Sequence, residues 1–230
     1  MMGQRKPIIA IDGPVASGKS TVGKVLARKL GLSFLDTGHL YRALAYLALK
    51  LNIAPTNARS LIALCHKLQR DKKLEDEGTT LISLESEEVN PLLKTEEVSV
   101  MASEVAKIPD VRDALVDGQR EWAERGGGVM VGRDIGTVIF PDAEWKFYLD
   151  ASLEERARRR YWELVDRGET PMLETIISEM KERDRRDETR EAAPLRAASD
   201  AIFIDTTDDT VDEVVKILED IIFHGKNPLG

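Results

Sequence analysis

With a single cysteine in 230 residues, the chain can form no internal disulfide, and Cys65 cannot by itself supply a metal cluster. It sits among Leu61, Leu64 and Leu68 and reads as a small core side chain. Surplus positive charge is missing as well. Thirty-three Lys and Arg face 41 Asp and Glu, a formal net charge of -8, with an isoelectric point near 5.1. Such a surface repels nucleic-acid polymers and anionic lipid at long range, so an anionic ligand must be met by a local basic pocket. Long apolar runs are absent too: only Pro7 to Ile11 separate the polar start from Asp12, too little for a signal peptide or a membrane span. The expectation is a cytoplasmic enzyme. There is no internal repeat and no low-complexity tract.

What is present is ordinary globular composition, 42% hydrophobic and 32% charged, enough for one domain over 1–230 with insertions. Five short apolar runs have the length and flanks of buried strands: Ile8–Ile11, Phe34–Leu35, Val129–Val131, Lys146–Leu149 and Ile202–Ile204. Helix spacing runs through Val22, Val25, Leu26 and Leu30, through Leu40, Leu44, Leu47 and Leu51, and through Val211, Val214, Val215, Leu218 and Ile222. Strands alternating with helices predict an α/β fold, a five-stranded parallel sheet covered on both faces. Two stretches break the alternation. Between Arg70 and Glu97, Thr79 to Leu84 read as a small hairpin outside the sheet. From Glu154 to Pro171 the chain is polar and rich in arginine, with Gly168 and Pro171 as turn or hinge points, and reads as a mobile lid. Residues from His224 onward read as a frayed tail.

The strongest signal is Gly13-Pro14-Val15-Ala16-Ser17-Gly18-Lys19-Ser20-Thr21, which fits the phosphate-binding loop pattern G-x-x-x-x-G-K-[ST] between a strand and an amphipathic helix. Glycines let backbone N–H groups wrap a phosphate, and the helix N-terminus adds positive potential. In that pattern Lys19 reaches the β and γ phosphates and the Ser20 hydroxyl ligates Mg²⁺. A nucleoside triphosphate is thereby indicated, but not a reaction. A GTPase switch would also need N-K-x-D and D-x-x-G, and the sequence has neither. A transferase needs an acceptor site beside the loop, at the C-terminal ends of the strands. Two segments stand there, Asp36-Thr37-Gly38-His39-Leu40-Tyr41-Arg42 and Val131-Gly132-Arg133-Asp134-Ile135-Gly136-Thr137. Taken singly, Asp36 or Thr37 is equally a helix cap, Arg42 a solvated helix residue and Arg133-Asp134 a surface pair. The run Lys181 to Arg190 is polar on every helical face and reads alone as an exposed, ion-paired helix.

At these residues the chain resembles bacterial cytidylate kinases. The likeness is carried by I-A-I-D-G-P-x-A-S-G-K-S-T at 9–21, L-D-T-G-x-x-Y-R at 35–42, G-R-D-I-G-T-V-I-F-P-D-A at 132–143 and E-R-D-R-R-D at 182–187 followed by A-P-L at 193–195. It covers nearly the whole chain. The resemblance implies a nucleoside monophosphate kinase with a core at 1–38, 109–153 and 172–230, an inserted monophosphate-binding part at about 39–108 and a lid at about 154–171. It implies ATP and Mg²⁺ at residues 13–21, with CMP or dCMP as acceptor. Arg42 and Arg133 would hold the acceptor phosphate, Thr37, Ser103, Arg112 and Asp134 would line the cytosine pocket, and Arg183 and Asp187, helped by Arg190, would contact the sugar. Lys19, Arg133, Arg158 and Arg159 would act in catalysis, with Arg158 to Arg160 over the triphosphate. His39 stands where this family is expected to have a small residue, and is read as facing solvent or filling space. An acceptor phosphate with second pKa of about 6 needs no side-chain base. The alternatives are a P-loop kinase with another acceptor, for which Asp36 or Asp134 would serve as base, and a nucleotide-binding module without turnover. With no long apolar stripe left over, a monomer is expected.

Overall fold

A computed structural model describes residues 6–70, 72–74, 80–84, 87–88, 92–124 and 126–225. Five strands, β1 (Ile8–Asp12), β2 (Phe34–Asp36), β6 (Gly128–Gly132), β7 (Trp145–Asp150) and β8 (Ile202–Asp205), form one sheet in the order β2-β6-β1-β7-β8. Every pairing in it is parallel. Parallel strands buried on both faces need apolar side chains at consecutive positions, which is why Ile8–Ile11 and Val129–Val131 are continuous hydrophobic runs. Successive residues point to opposite faces. Ile9, Ile11, Phe34, Val129, Val131, Phe147 and Leu149 pack under α1 (Lys19–Leu30) and α8 (Val211–His224). Ala10, Leu35 and Met130 face the other way, into a larger cluster built with α2 (Thr37–Lys50), α3 (Ala58–Arg70), α4 (Glu96–Val105) and α5 (Pro109–Glu124).

The remaining described elements are β3 (Lys72–Leu74), β4 (Thr80–Leu84) and β5 (Glu87–Glu88), a 3₁₀ turn at Leu92–Lys94, a π-type turn at Ile135–Ile139, α6 (Leu153–Val165) and α7 (Leu173–Thr189). Strands β3, β4 and β5 make a separate antiparallel sheet, so the expected hairpin gains a third strand, and its first residue, Thr79, lies outside the described residues. The stretch from Glu154 is not loop-like at its start. Ser152 caps α6, its hydroxyl accepting from Glu155 N at 3.2 Å, and the helix runs to Val165 before Gly168, at φ 80, turns the chain. The expected frayed tail does not begin at His224, which belongs to α8 with Gly225 as its cap, and 226–230 lie outside the described residues. Leu51 and Val211, expected on buried stripes, sit exposed at helix ends, where the 3.6-residue stripe no longer faces the sheet. Cys65 is fully buried as expected, and burial pushes its thiol up to about 12.

Helix α1 lies close against the sheet at Gly23. A Cβ there would stand 2.6 Å from Val131 Cγ1 and 3.0 Å from Phe34 Cε2. Replacing a mid-helix glycine gains about 1 kcal/mol of helix propensity, but overpacking a dense core costs about 1–3 kcal/mol. Packing wins here because both neighbours are themselves buried. Gly23→Ala is expected to lower stability by up to about 2 kcal/mol, read as a lower urea midpoint with an unchanged slope.

Candidate active site

Four of the five sheet strands end on an aspartate, at Asp12, Asp36, Asp150 and Asp205, and the fifth, β6, runs through Gly132 into Arg133-Asp134. This polar edge is where ligands bind in open α/β sheets. The phosphate loop leaves β1 at Gly13, with φ 152, where a Cβ would lie 2.0 Å from the carbonyl oxygen of Leu149. Only glycine fits so close to the backbone of β7. The loop turns through Ala16 at φ 58 and Gly18 at φ 86, and a non-glycine residue in the left-handed region costs of order 1 kcal/mol. Gly18 is the N-cap of α1 and has no side chain to cap it, so the first N–H groups of the helix stay open to an anion. Lys19 is buried and donates to Pro14 O at 2.6 Å. Burial first, then the nearby Arg133, hold its pKa well below the ordinary lysine value, a deficit that a bound phosphate would relieve.

Across the cleft, Asp36 caps α2, its Oδ1 accepting from Gly38 N at 2.9 Å, while its Oδ2 accepts from Ser20 Oγ at 2.6 Å. Burial pushes its pKa up, but His39, Ser20 and Arg42 outweigh it and hold the carboxyl below the usual carboxylate range. Thr37 donates to Val131 O at 3.0 Å and ties the start of α2 to β6. One turn on, Arg42 faces the same cleft, with Arg133 and Arg183. Burial, with the cation beside each, lowers the pKa of Arg42 and brings Arg183 down to about 10. Arg133 is held the other way: burial opposes its charge, but Asp187 Oδ2, 2.9 Å from its Nε, keeps it firmly protonated. Cations lining the cleft outnumber its carboxylates, which is the electrostatic signature of an anion site.

The far wall is made by a buried ion pair of Arg112 Nη2 with Asp134 Oδ2. Arg112 also donates to Ala106 O at 3.3 Å and lies over the ring of Tyr41, 5.7 Å from its centroid. Arg190 Nη2 stands 3.9 Å from Asp134 Oδ1 and its Nε donates to Ala193 O at 2.7 Å. Ser103 lines the same cleft, which encloses about 370 Å³ and runs from Val15 and Lys19 to Arg112 and Arg190. The structure thus brings Lys19, Ser20, Thr37, Arg42, Ser103, Arg112, Arg133, Asp134, Arg183, Asp187 and Arg190 to one cavity.

On α6 the basic residues divide by face. Arg159 donates through Nη1 to Thr206 Oγ1 at 3.1 Å, and the same guanidinium lies 3.7 Å from where a Cβ on Gly18 would be. Arg160 lines the cleft and pairs with Glu163 at 2.9 Å. Arg158 does not join them: its side chain is 63% exposed and is held by Glu155 through two bonds of 2.7 and 2.8 Å. Helical spacing explains the correction, because 156, 159, 160 and 163 fall on one face and 158 does not.

A family model described as cytidylate kinase matches residues 9–223. The chain belongs to this family. The cytidylate kinase of Geobacter sp. (strain M21) is 45% identical over 212 residues, 92% of this chain and 91% of that protein. That of Pseudomonas paraeruginosa (strain PA7) is 46% identical over 219 residues, 95% and 94% of the two. That of Aeromonas salmonicida (strain A449) is 42% identical over 229 residues, 100% and 98%. The fold alone is shared with the crystal structure of an uncharacterized protein from Eubacterium ventriosum, at a TM-score of 0.52 and 18% identity over 95% of this chain and 98% of that one.

Within the family frame, three residues that sequence reasoning left aside prove central to the architecture of the site. Arg156, buried on α6, joins Asp184 at 2.6 Å and Val15 O at 3.3 Å, so the phosphate loop, α6 and α7 meet at one guanidinium. The polar run on α7 is accordingly one-sided, with Asp184 and Asp187 buried. Asp12, at the end of β1, accepts from Ile135 N and Gly136 N, both at 2.8 Å, and fastens the turn that follows Arg133-Asp134. The only trace of it in sequence is a carboxylate closing a buried apolar run.

Burial pushes the Asp12 carboxyl up to about 7, against those two backbone bonds. A folded pKa above the free value means that its contribution to stability is full at low pH and is lost as pH rises towards about 7. Wild type compared with Asp12→Asn is therefore expected to lose about 3 kcal/mol of relative stability between about pH 5 and about pH 8, measured by urea unfolding of both proteins at each pH.

Proposed function

We infer that this chain is a cytidylate kinase, transferring the γ-phosphoryl group of ATP to CMP or dCMP. The observation that carries the reading is a single cleft in which the phosphate loop, a cluster of half-buried arginines and the buried Arg112–Asp134 pair face one another. ATP lies on residues 13–21. The acceptor phosphate lies against Arg42 and Arg133, planar cations suited to bidentate phosphate contacts. Cytosine presents an exocyclic amine beside two acceptors, so a carboxylate next to an arginine distinguishes it from uracil, whose pattern is partly reversed. Thr37, Ser103, Arg112 and Asp134 form that pocket, and Arg183, Asp187 and Arg190 take the sugar.

The Ser20 hydroxyl and Asp36 Oδ2, 2.6 Å apart beside Lys19, are oxygen donors of the kind Mg²⁺ takes. These two side chains would hold Mg²⁺, which would supply charge neutralisation to the phosphates of bound ATP. No side-chain base is required, because the acceptor phosphate is mostly ionised at neutral pH. Asp36 supports this reading, since its low pKa and helix-capping bond suit a fixed anion better than a proton carrier. Lys19, Arg133 and Arg159 supply charge at the transferred group. Residues from about 39 to 108 act as the monophosphate-binding part, and the α6 to α7 segment as the lid that excludes water on closure. The enzyme works as a monomer in the cytoplasm.

The test is ADP release with Mg²⁺ and ATP against CMP, dCMP, UMP, AMP, GMP and shikimate. CMP and dCMP are expected to turn over well and the others poorly; turnover confined to shikimate or a purine monophosphate would overturn the reading. Lys19→Ala is expected to abolish transfer. Arg42→Ala should raise KM for CMP about 10- to 100-fold, the worth of a charge-assisted contact, while KM for ATP changes little. Asp134→Asn should lower the CMP-to-UMP ratio of kcat/KM, and an unchanged ratio would remove Asp134 from the base pocket.

A further inference from the structure

The π-type turn at Ile135–Ile139 begins on Asp134, which stands at its N-cap. Aspartate is favoured at such a position because its carboxylate accepts from the first free N–H groups of the turn. Asp134 makes no bond of that kind. The N–H groups of Ile135 and Gly136 go instead to Asp12 on the neighbouring strand β1, one to each carboxyl oxygen, both at 2.8 Å.

With the turn capped from β1, the Asp134 side chain is released to the cleft. Its Oδ2 pairs with Arg112 Nη2, and its Oδ1 lies 3.9 Å from Arg190 Nη2. Two acceptor oxygens are needed to serve two N–H groups, and an amide in place of the Asp12 carboxylate would turn its own N–H donors towards one of them. The orphaned N–H would then draw on the carboxylate beside it, that of Asp134, at the expense of its place in the cleft.

We propose that Asp12 is a positioning residue for base recognition: by capping the turn in place of Asp134, it leaves the Asp134 carboxylate to read the exocyclic amine of the acceptor base. The proposal rests on the reading of Arg112 and Asp134 as the cytosine pocket, and Asp12 itself is not among the residues that line the cleft. Its charge matters to the arrangement. Burial pushes the Asp12 carboxyl up to about 7, its two backbone bonds oppose this, Asp134 of the turn adds to the rise and Lys19 of α1 counters it. Tyr148 of β7 also feels the Asp12 charge, and Lys146 of β7, which packs beside Gly136, is paired with Asp200 at 2.6 Å. Protonation turns one Asp12 oxygen from an acceptor into a donor, so both cap bonds are at full strength only in the ionised form.

The test is kcat/KM for CMP and for UMP, whose common phosphate cancels in the ratio of the two. Asp12→Asn is expected to lower the CMP-to-UMP ratio about tenfold while KM for ATP changes little, and in an Asp134→Asn background the same substitution should lower it no further. In the wild type the ratio should rise between about pH 6 and about pH 8, and in Asp12→Asn it should stay flat. A merely structural Asp12 would weaken both acceptors alike: an unchanged ratio, or losses that add in the double variant, would overturn the proposal and leave a CMP-phosphorylating enzyme standing. If Asp12→Asn does not fold, a wild-type ratio that is independent of pH overturns the proposal by itself. A wild type that turns over neither CMP nor dCMP overturns the functional reading along with it.

Discussion

Parallel pairing of β1 with its two neighbours sets the geometry of the whole polar edge. Asp12 is in register with Gly132 on one side and Tyr148 on the other, so the phosphate loop and the Arg133-Asp134 segment must emerge side by side. Two backbone bonds from Ile135 and Gly136 to Asp12 then lock the second segment to the first strand. Residues separated by more than a hundred positions in sequence thereby become neighbours at hydrogen-bond distance. The cost is a carboxyl group buried at the centre of the molecule, whose charged form burial disfavours and two backbone N–H groups only partly offset.

The second constraint is charge. Arginines 42, 112, 133, 156, 183 and 190 are all wholly or partly buried, and Asp134, Asp184 and Asp187 enter the interior with them. A buried ion pair adds little net stability compared with apolar packing of the same volume. What it does provide is a set of cations at fixed positions, already stripped of water before a ligand arrives. Preorganisation of that kind is most effective where charge builds up during phosphoryl transfer, because the protein need not reorganise at that moment. The overall acidity of the chain and the basicity of its cleft are thus compatible: the first governs the outer surface, the second a volume of about 370 Å³.

How much of this could be read beforehand varied with the range of the interaction. The five strands were legible because burial on both faces demands continuous apolar runs, and the observed ends differ by one residue. The turn at 13–18 between β1 and α1 was legible because its glycines mark a tight strand-to-helix loop locally. Element ends were not: Leu51 and Val211 carry the right spacing but sit where the helix has left the sheet. Arg158 was misread because a run of three arginines has no periodicity, and only the helix's neighbours decide which members face inward. Pairings such as Arg156 with Asp184, or Asp12 with the turn after Asp134, leave no mark in one sequence, since each partner alone looks like an ordinary surface charge.

One joint has mechanical consequences. Helices α6 and α7 are held together by the Arg156–Asp184 bond and by Ala157, Ile176 and Met180, which pack against Val15 and Ala16 of the phosphate loop. Arg159 and Arg160 ride on the first helix, and Arg183 and Asp187 on the second. The pair is therefore one packed unit carrying side chains along the cleft. Because one joint serves both helices, a ligand that favoured one position of that joint would by thermodynamic reciprocity favour a second ligand that prefers the same position.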